Sequence, residues 1–194
     1  LPSEVARPVG PLRIAFARGP HWQEASQSTR DACATAAQTL ANDGVVIDEL
    51  DCPSEFQQLS EHHKTVMAFE TARARRFEFT HHRDQISTAF ADLLNMGMSI
   101  SRDAYERALE ARNVASQSLA QTLSSYDAVL TPAAPSGAPH GITATGDPLF
   151  SRLWTLLQVP TITLPFGRDE VNMPLAFQLV GGLGDDQALM AVAR

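Results

Sequence analysis

The chain has 194 residues, a mass of 21.0 kDa, a formal net charge of -7 and a pI of about 5.3. An acidic chain without a basic cluster is a poor nucleic-acid binder, because affinity for phosphate backbones depends on clustered positive charge. The apolar runs are too short to cross a bilayer and no signal peptide is recognisable, so the sequence also argues against a membrane protein and predicts a cytoplasmic one.

The first fifty residues predict a tail followed by a strand, a helix and a second strand. Residues 1–11 contain three prolines and no apolar periodicity, which is typical of a linker, and residues 12–194 are expected to form a single domain. We expect strands at residues 12–17 and 45–50 and a helix at residues 28–42. Such a unit places its two strands in parallel. Its first connection lacks the Gly-x-Gly-x-x-Gly pattern, which argues against a nucleotide site.

The middle of the chain is predicted to be helical. Apolar positions recur at helical spacing over residues 54–95, and we expect two helices that are separated near His81. Ser101 is suited to capping a further long helix, because its hydroxyl can accept a hydrogen bond from a free amide of the first turn. That helix leads into the C-terminal part of the chain.

Two features of the first half of the chain suggest a metal site or a disulfide at first sight. Adjacent histidines at residues 62–63 and 81–82 point about 100° apart on a helix, so neither pair converges on one ion, and we assign no metal. Cys33 and Cys52 have no metal-ligand spacing, and two reduced thiols are favoured over a disulfide. The sequence predicts no cofactor.

Residues 126–182 carry the densest pattern. Three short apolar runs, at residues 128–131, 161–164 and 175–180, are bounded by Pro or Gly and predict buried strands. A loop rich in Pro and Gly separates the first two runs, and loops of this length in compact domains are usually functional or disordered. A short helix follows, with Asp147 expected to cap it.

The order of these motifs resembles the C-terminal part of the amidase signature family. The matching motifs are, in order, GPLRIAF, TAAQTLANDGVVIDEL, SISRDAYERALEAR, DAVLTP, TGDP, VPTITLP and PLAFQLVGG. The resemblance extends from about residue 11 to the C-terminus and implies an α/β fold with a mixed, largely parallel sheet flanked by helices. Gln158 and Ala176 stand where the family usually has glycine. Each adds a side chain there, which bears on the local turn and on the shape of a pocket.

The resemblance also implies a chemistry. Family members hydrolyse amide bonds with a serine nucleophile, a second serine bonded to it and a lysine that accepts and returns the proton, because a serine hydroxyl needs an adjacent base. In the family these groups lie upstream of the part matched here. Ser124 and Ser125 end a helix without flanking glycines, and Lys64 lies in another helix, so no catalytic residue is assigned. The chain is therefore predicted to be the C-terminal portion of an amidase-type hydrolase that is inactive alone.

His140, Phe150 and Trp154 are candidates to line an acyl pocket, because loops at the C-terminal ends of strands form the binding crevice of open α/β folds. The alternatives are core packing for the two aromatic residues and plain solvent exposure for His140. Gln178 stands in an otherwise apolar strand and is expected to be a buried amide that bonds to neighbouring backbone.

Other functions and partners stay open. One alternative is a non-catalytic α/β binding or assembly module, because fold alone does not fix function. Another is the amidase subunit of an amidotransferase complex, which belongs to the same family. The expected partners are a small amide substrate in the full-length protein, the missing N-terminal half and, through exposed strand edges, a second copy of the chain in a homodimer.

Overall fold

The computed structural model describes residues 10–194; the predicted tail lies mostly outside the described residues, and the division into tail and single domain stays a prediction. Five strands are present among these residues: β1 (Arg13–Ala17), β2 (Val46–Leu50), β3 (Ala128–Pro132), β4 (Thr161–Arg168) and β5 (Pro174–Val180). The α-helices are α1 (Gln27–Asn42), α2 (Leu59–Ala74), α3 (Arg76–His81), α4 (Thr88–Ser99), α5 (Arg102–Leu123), α6 (Leu149–Leu157) and α7 (Asp186–Val192). Short 3-10 turns cover Trp22–Glu24, Ser54–Phe56 and Arg83–Gln85.

The five strands form one mixed sheet in the order β2-β1-β3-β5-β4. Strand β1 pairs in parallel with both β2 and β3, whereas β5 runs antiparallel to β3 and to β4. Four strands therefore share one direction and only β5 is reversed. This confirms the predicted α/β class with a mixed, largely parallel sheet flanked by helices.

The predicted strand, helix and strand unit is present in β1, α1 and β2. Helix α1 begins after Ser26, whose hydroxyl accepts a hydrogen bond from the Thr29 amide at 3.1 Å. The helix ends before Gly44, whose φ of +91° lies in the left-handed region that glycine adopts without a steric penalty. The two strands are parallel, as predicted.

The helical middle follows the prediction with one extra interruption. The chain leaves the helical path after His81, as expected, and also at Arg75, between α2 and α3. Helix α5 begins after Ser101, whose hydroxyl accepts from the Ala104 amide at 3.2 Å, which confirms the predicted cap. Within residues 10–194, none of the helices combines the length and apolar character needed to cross a membrane.

Helices α2 and α4 approach each other closely at Gly97. A Cβ atom at this position would overlap the carbonyl oxygen of Ala68 and lie 2.7 Å from the Cβ of Ala72. Only a residue without a side chain allows this contact, because the obstructing atom belongs to the rigid backbone of α2. The two helices form one layer together with α5 and α6.

Each face of the sheet is covered by its own hydrophobic cluster, because alternate residues of a strand point to opposite faces. On the first face, Ala15 and Ala17 of β1 pack with residues from α2, α5 and α6. On the second face, Ile14 and Phe16 pack with residues from α1 and α7. The first face carries the features described next, and we call it the cavity face.

Candidate functional site

The candidate site lies at the carboxyl ends of β1, β2 and β3. These three strands are parallel, so the segments that follow them leave the same edge of the sheet. The segments begin at Arg18, at Asp51 and at Ala133. The last of them is the loop of residues 133–148, which leads into α6 and carries most of the chain's Pro-rich stretch.

A small apolar cavity lies under these segments, on the cavity face of the sheet. It holds about 20 Å³ of free space, which is room for about one water molecule. The wall is made almost entirely of apolar side chains, together with His21 and two threonines; it consists of Ala17, Gly19, Pro20, His21, Leu50, Cys52, Pro53, Phe56, Leu119, Thr122, Val129, Thr131, Phe150, Leu153 and Trp154. We call it the β-end cavity.

Phe150 and Trp154 both line the β-end cavity. They lie one turn apart on α6, so the helix presents them on the same face, and each is only 4% exposed. The Trp154 ring meets Phe56 edge-on, with centroids 6.2 Å apart. The two aromatic residues thus belong to the packed core and form a cavity wall at the same time, and their assignment to an acyl pocket stays a prediction.

Gln178 holds the start of α6 against the sheet. Its side chain is 2% exposed, and its amide nitrogen donates to the carbonyl oxygen of Pro132 at 2.8 Å and to that of Phe150 at 3.0 Å. This confirms the predicted buried amide bonded to backbone. Because Pro132 precedes the loop and Phe150 follows it, one side chain ties both ends of the loop together.

The loop is also fixed at its middle. The carbonyl oxygen of Pro135 accepts hydrogen bonds from the Ser26 amide at 2.7 Å and from the Thr29 hydroxyl at 3.2 Å, so the start of α1 anchors it. His140 lies further along the loop, is exposed and is not among the residues that line the β-end cavity. The structure therefore brings Phe150 and Trp154 together and leaves His140 apart from them; its role stays a prediction.

Asp147 does not cap α6. The helix begins after Pro148 without a side-chain cap, and the Asp147 carboxylate instead accepts a hydrogen bond from the Arg152 guanidinium at 3.0 Å. The predicted cap is therefore wrong, because a carboxylate gains more from a charged partner than from one amide. The salt bridge joins the end of the loop to the second turn of α6.

Gln158 and Ala176 stand where the family usually has glycine, and the added side chain has a different structural consequence at each position. Gln158 ends α6 with φ 59° and ψ 33°, the left-handed conformation that glycine adopts at helix ends. Ala176 has strand conformation in β5, opposite Pro165. It lines a groove between the loop of residues 133–148 and strands β4 and β5. Gln158 therefore carries backbone strain, whereas the extra methyl of Ala176 only changes the shape of the groove.

His21 and Ser60 form a polar contact beside the β-end cavity that the sequence did not reveal. The His21 Nε2 and Ser60 Oγ atoms are 2.7 Å apart although the residues are separated by 39 positions. Glu24 lies on the other side of the ring, with its Oε1 atom 3.5 Å from His21 Nδ1. Only the His21–Glu24 spacing of three residues could have drawn attention to this cluster.

A second histidine, His63, lies on α2. Within residues 10–194, its Nδ1 atom is the one buried side-chain nitrogen or oxygen without a hydrogen-bond partner. Burial, and to a smaller degree the positive charge of Arg152, lower the pKa of His63, because both disfavour the protonated ring. His63 is therefore held neutral at physiological pH.

The remaining polar candidates do not assemble a Ser, Ser and Lys site. The Ser124 hydroxyl donates to the Gln121 carbonyl oxygen at 2.7 Å, and the Lys64 ammonium pairs with Glu61 on the same helix at 2.6 Å. No group of three His, Cys, Asp or Glu side chains in the described part of the chain could hold a metal ion.

The two cysteines are free thiols on opposite faces of the sheet, as the preference for reduced thiols predicted. Burial raises the pKa of Cys33 to about 12, and burial together with the charge of Glu55 raises the pKa of Cys52 to about 11. Neither thiol is a reactive thiolate at neutral pH.

Comparison with known proteins identifies the family. The family described as Amidase matches residues 1–190, which is nearly the whole chain. The chain belongs to the amidase family. Among its curated relatives, a glutamyl-tRNA(Gln) amidotransferase subunit from Prochlorococcus marinus (strain MIT 9211) is 24% identical over 94% of this chain and 44% of its own length. The corresponding subunit from Pseudothermotoga lettingae is 33% identical over 46% of this chain and 20% of its own length.

Solved structures share the fold. A crystal structure of an amidase superimposes with a TM-score of 0.85 at 22% identity, covering 97% of this chain and 46% of that chain. A 6-aminohexanoate cyclic dimer hydrolase gives a TM-score of 0.77 at 17% identity, again covering 97% of this chain and 45% of that chain. This member of the amidase family therefore spans less than half the length of the relatives and structures that it matches across most of its sequence.

Proposed function

We propose that this chain is the C-terminal portion of an amidase-type hydrolase, which cleaves carboxylic amides to an acid and ammonia or an amine. The observation that carries the proposal is the match of the Amidase family to residues 1–190. The proposal assigns the nucleophile segment to a part of the protein outside this chain, and the share of less than half of the relatives' length that the chain covers supports this. The cytoplasmic location expected from the sequence is part of the same proposal.

In the proposed hydrolase, this chain forms part of the wall of the substrate pocket and contributes none of the reacting groups. The Ser, Ser and Lys groups of the family would come from the other half. Phe150 and Trp154 would form the apolar wall against the acyl group, supported by their position at the carboxyl ends of the strands. His140, which does not line the β-end cavity, would contact the acyl group only from the exposed loop outside it.

The size of the β-end cavity limits the acyl group. About 20 Å³ accommodates a methyl group and little more, so a longer acyl chain would require the Trp154 ring to move. The proposal therefore favours amides with a small acyl group over those with a branched or aromatic one.

Ammonia release tests the proposal. The gene should be expressed with its native upstream sequence, in parallel with residues 1–194 alone, and both products assayed on acetamide, butyramide and benzamide. We expect release by the longer protein only, fastest with acetamide. Release by residues 1–194 alone would place the nucleophile within this chain, and inactivity of the longer protein on every amide would refute the hydrolase assignment.

The pocket residues can be tested in the longer protein. Trp154→Phe should raise the kcat/KM ratio of butyramide to acetamide, because the smaller ring enlarges the space beside the acyl group. Trp22→Phe is the matched control, since Trp22 packs on the opposite face of the sheet. His140→Ala should raise KM if the loop contacts the acyl group, and an unchanged KM would remove His140 from the pocket.

A second candidate is the amidase subunit of an amidotransferase complex, in which ammonia passes to a partner. The curated relatives reported above are glutamyl-tRNA(Gln) amidotransferase subunits, which favours this candidate. The longer protein would then co-purify with other subunits. Transfer of ammonia within such a complex would decide for this branch, and equal activity of the isolated protein on simple amides would decide against it.

The sheet edges are the proposed contact surfaces for the missing half or for a second copy. Among residues 10–194, β2 and β4 are the outer strands of the sheet, so one side of each pairs with no other described strand. Sedimentation equilibrium of residues 1–194 alone, and then of the longer protein, separates the two partners. We expect self-association of the short chain to be lost in the longer protein if the missing half covers an edge.

A further inference from the structure

We propose that Ser60, His21 and Glu24 form a nucleophilic site within this chain, which hydrolyses activated esters of short carboxylic acids, acetate above all. Its reacting groups differ from the Ser, Ser and Lys groups proposed above and do not depend on them, although both proposals place the acyl group in the β-end cavity. Ser60 is the nucleophile, His21 is the general base and acid, and Glu24 is a positioning residue.

The first step of the argument is the contact between Ser60 and His21. Ser60 lies in the first turn of α2 and is 3% exposed, so its hydroxyl is removed from bulk water. Its Oγ atom is 2.7 Å from His21 Nε2, which is the distance for direct proton transfer from a serine to a histidine. A serine hydroxyl becomes a useful nucleophile only with such a base beside it.

The second step is the orientation of the His21 ring. His21 immediately precedes a 3-10 turn that ends at Glu24, and in such a turn side chains three residues apart eclipse each other. The Glu24 Oε1 atom is consequently 3.5 Å from His21 Nδ1, which is long for a hydrogen bond, and its negative charge favours a proton on the ring nitrogen that faces it. The lone pair of Nε2 then points to Ser60, as a general base requires.

The third step is the space available to an acyl group. His21 is part of the wall of the β-end cavity, whereas Ser60 is not, so an acyl group would enter beside the base and reach Ser60 Oγ past the His21 ring. The cavity holds about 20 Å³, which suits the methyl group of an acetyl ester. The His21 side chain keeps 17% of its surface exposed, which gives the ester its approach from solvent.

The reaction balances without a cofactor. Ser60 Oγ attacks the ester carbonyl carbon while His21 Nε2 takes its proton, and collapse of the tetrahedral adduct breaks the bond to the alcohol oxygen, which receives that proton from His21. Water then attacks acetyl-Ser60, His21 accepts a water proton, and cleavage of the acyl–Oγ bond returns that proton to Ser60 and releases acetic acid. The Glu61 amide already donates to the Gln58 carbonyl oxygen at 3.1 Å, so the amides of Leu59 and Ser60, at the start of α2, are the ones that would stabilise the oxyanion.

The experiment measures p-nitrophenol release from p-nitrophenyl acetate by residues 1–194, together with peptide mapping after acid quench. All variants carry Lys64→Arg, because Lys64 is the only lysine and would react with this ester directly. We expect acetylation on the peptide that carries Ser60, and release from the acetate ester faster than from the butyrate ester.

Three substitutions and one control test the roles. Ser60→Ala should abolish the adduct, His21→Gln should lower kcat about 100-fold, and Glu24→Gln should lower kcat about 10-fold with KM unchanged. Ser54→Ala, at an exposed serine six residues before Ser60, should have no effect. Thermal unfolding reports the stability of each variant.

Two results would overturn the proposal. One is an acetyl group found elsewhere on the chain with Ser60 unmodified. The other is a Glu24→Gln rate equal to that of the parent, which stays informative if the buried variants unfold, because the Glu24 side chain is 52% exposed and contributes little to packing. A purely structural Ser60–His21 hydrogen bond predicts both of these results.

Discussion

The two faces of the central sheet differ in how they are filled. Strand β1 points the large side chains of Ile14 and Phe16 to one face and the small side chains of Ala15 and Ala17 to the other. On the face that carries Ile14 and Phe16, the strand itself supplies the large side chains of the core. On the cavity face the helices supply the large side chains. Their aromatic rings pack against the short side chains of the strand and enclose the β-end cavity. The cavity therefore lies on the face where β1 has its smallest side chains.

The two tryptophans allow this contrast to be measured directly, because one lies on each face. Trp154 is buried on the cavity face, whereas Trp22 is half-buried against Phe16 on the opposite face. Trp154→Ala should lower the free energy of unfolding by about 3–5 kcal/mol, as other large-to-small core substitutions do. Trp22→Ala should cost clearly less, because part of its surface is already in water.

Urea unfolding, followed by circular dichroism, measures both free energies. Fluorescence gives an independent check, since each single variant retains one tryptophan; the emission of the Trp22→Ala protein should be the more blue-shifted. Equal losses for the two variants would mean that the faces do not differ in the way described.

The helix layer of the cavity face depends on Gly97. Gly97→Ala should lower the free energy of unfolding by about 3 kcal/mol, because the added methyl overlaps the Ala68 carbonyl and forces α2 and α4 apart. The loss exceeds the gain of about 1 kcal/mol that alanine usually brings to a helix. Differential scanning calorimetry measures the change. Asn95→Ala, at an exposed position of α4, is the control and should be neutral or slightly stabilising.

Gln178 tests how the cavity face is connected to the loop. Gln178→Leu keeps the volume of the side chain and removes its amide, which leaves the carbonyl oxygens of Pro132 and Phe150 without this donor. We expect a loss of about 2 kcal/mol of unfolding free energy.

The loss at Gln178 should be local as well as global. Hydrogen exchange should increase at the start of α6, since this side chain ties the helix to β3. The next residue, Leu179, points to the opposite face, and Leu179→Ile should leave the α6 amides unchanged. Unchanged exchange in the Gln178→Leu protein would show that the loop is held by other contacts.

The predictions from sequence succeeded where the determinants are local. Ser101 caps α5 because its hydroxyl and the Ala104 amide that donates to it are three residues apart, and Gln178 stood out because it is one amide in an apolar strand. The contact of His21 with Ser60 could not be predicted, because it joins a 3-10 turn after β1 to the start of α2. Asp147 was misjudged for the same reason: its preference for Arg152 depends on how the loop enters the helix.

The smallest expected effect concerns Gln158, at the end of the helix that carries Phe150 and Trp154. Its φ of 59° places a side chain in the left-handed region, where an ordinary residue is strained by about 1–2 kcal/mol and glycine is not. Gln158→Gly should therefore raise the free energy of unfolding by about 1 kcal/mol, since part of the relief is offset by the greater freedom of glycine in the unfolded chain.

Asn172 is the matched control for this prediction. Among residues 10–194, it is the other non-glycine residue with a positive φ. Asparagine tolerates the left-handed region better than glutamine does, because its short side chain can bond locally, so Asn172→Gly should have a smaller effect. Chemical denaturation of the two variants in parallel measures the difference. A destabilised Gln158→Gly protein would show that the glutamine side chain makes contacts at this helix end that outweigh its backbone strain, and that the departure from glycine is compensated rather than merely tolerated.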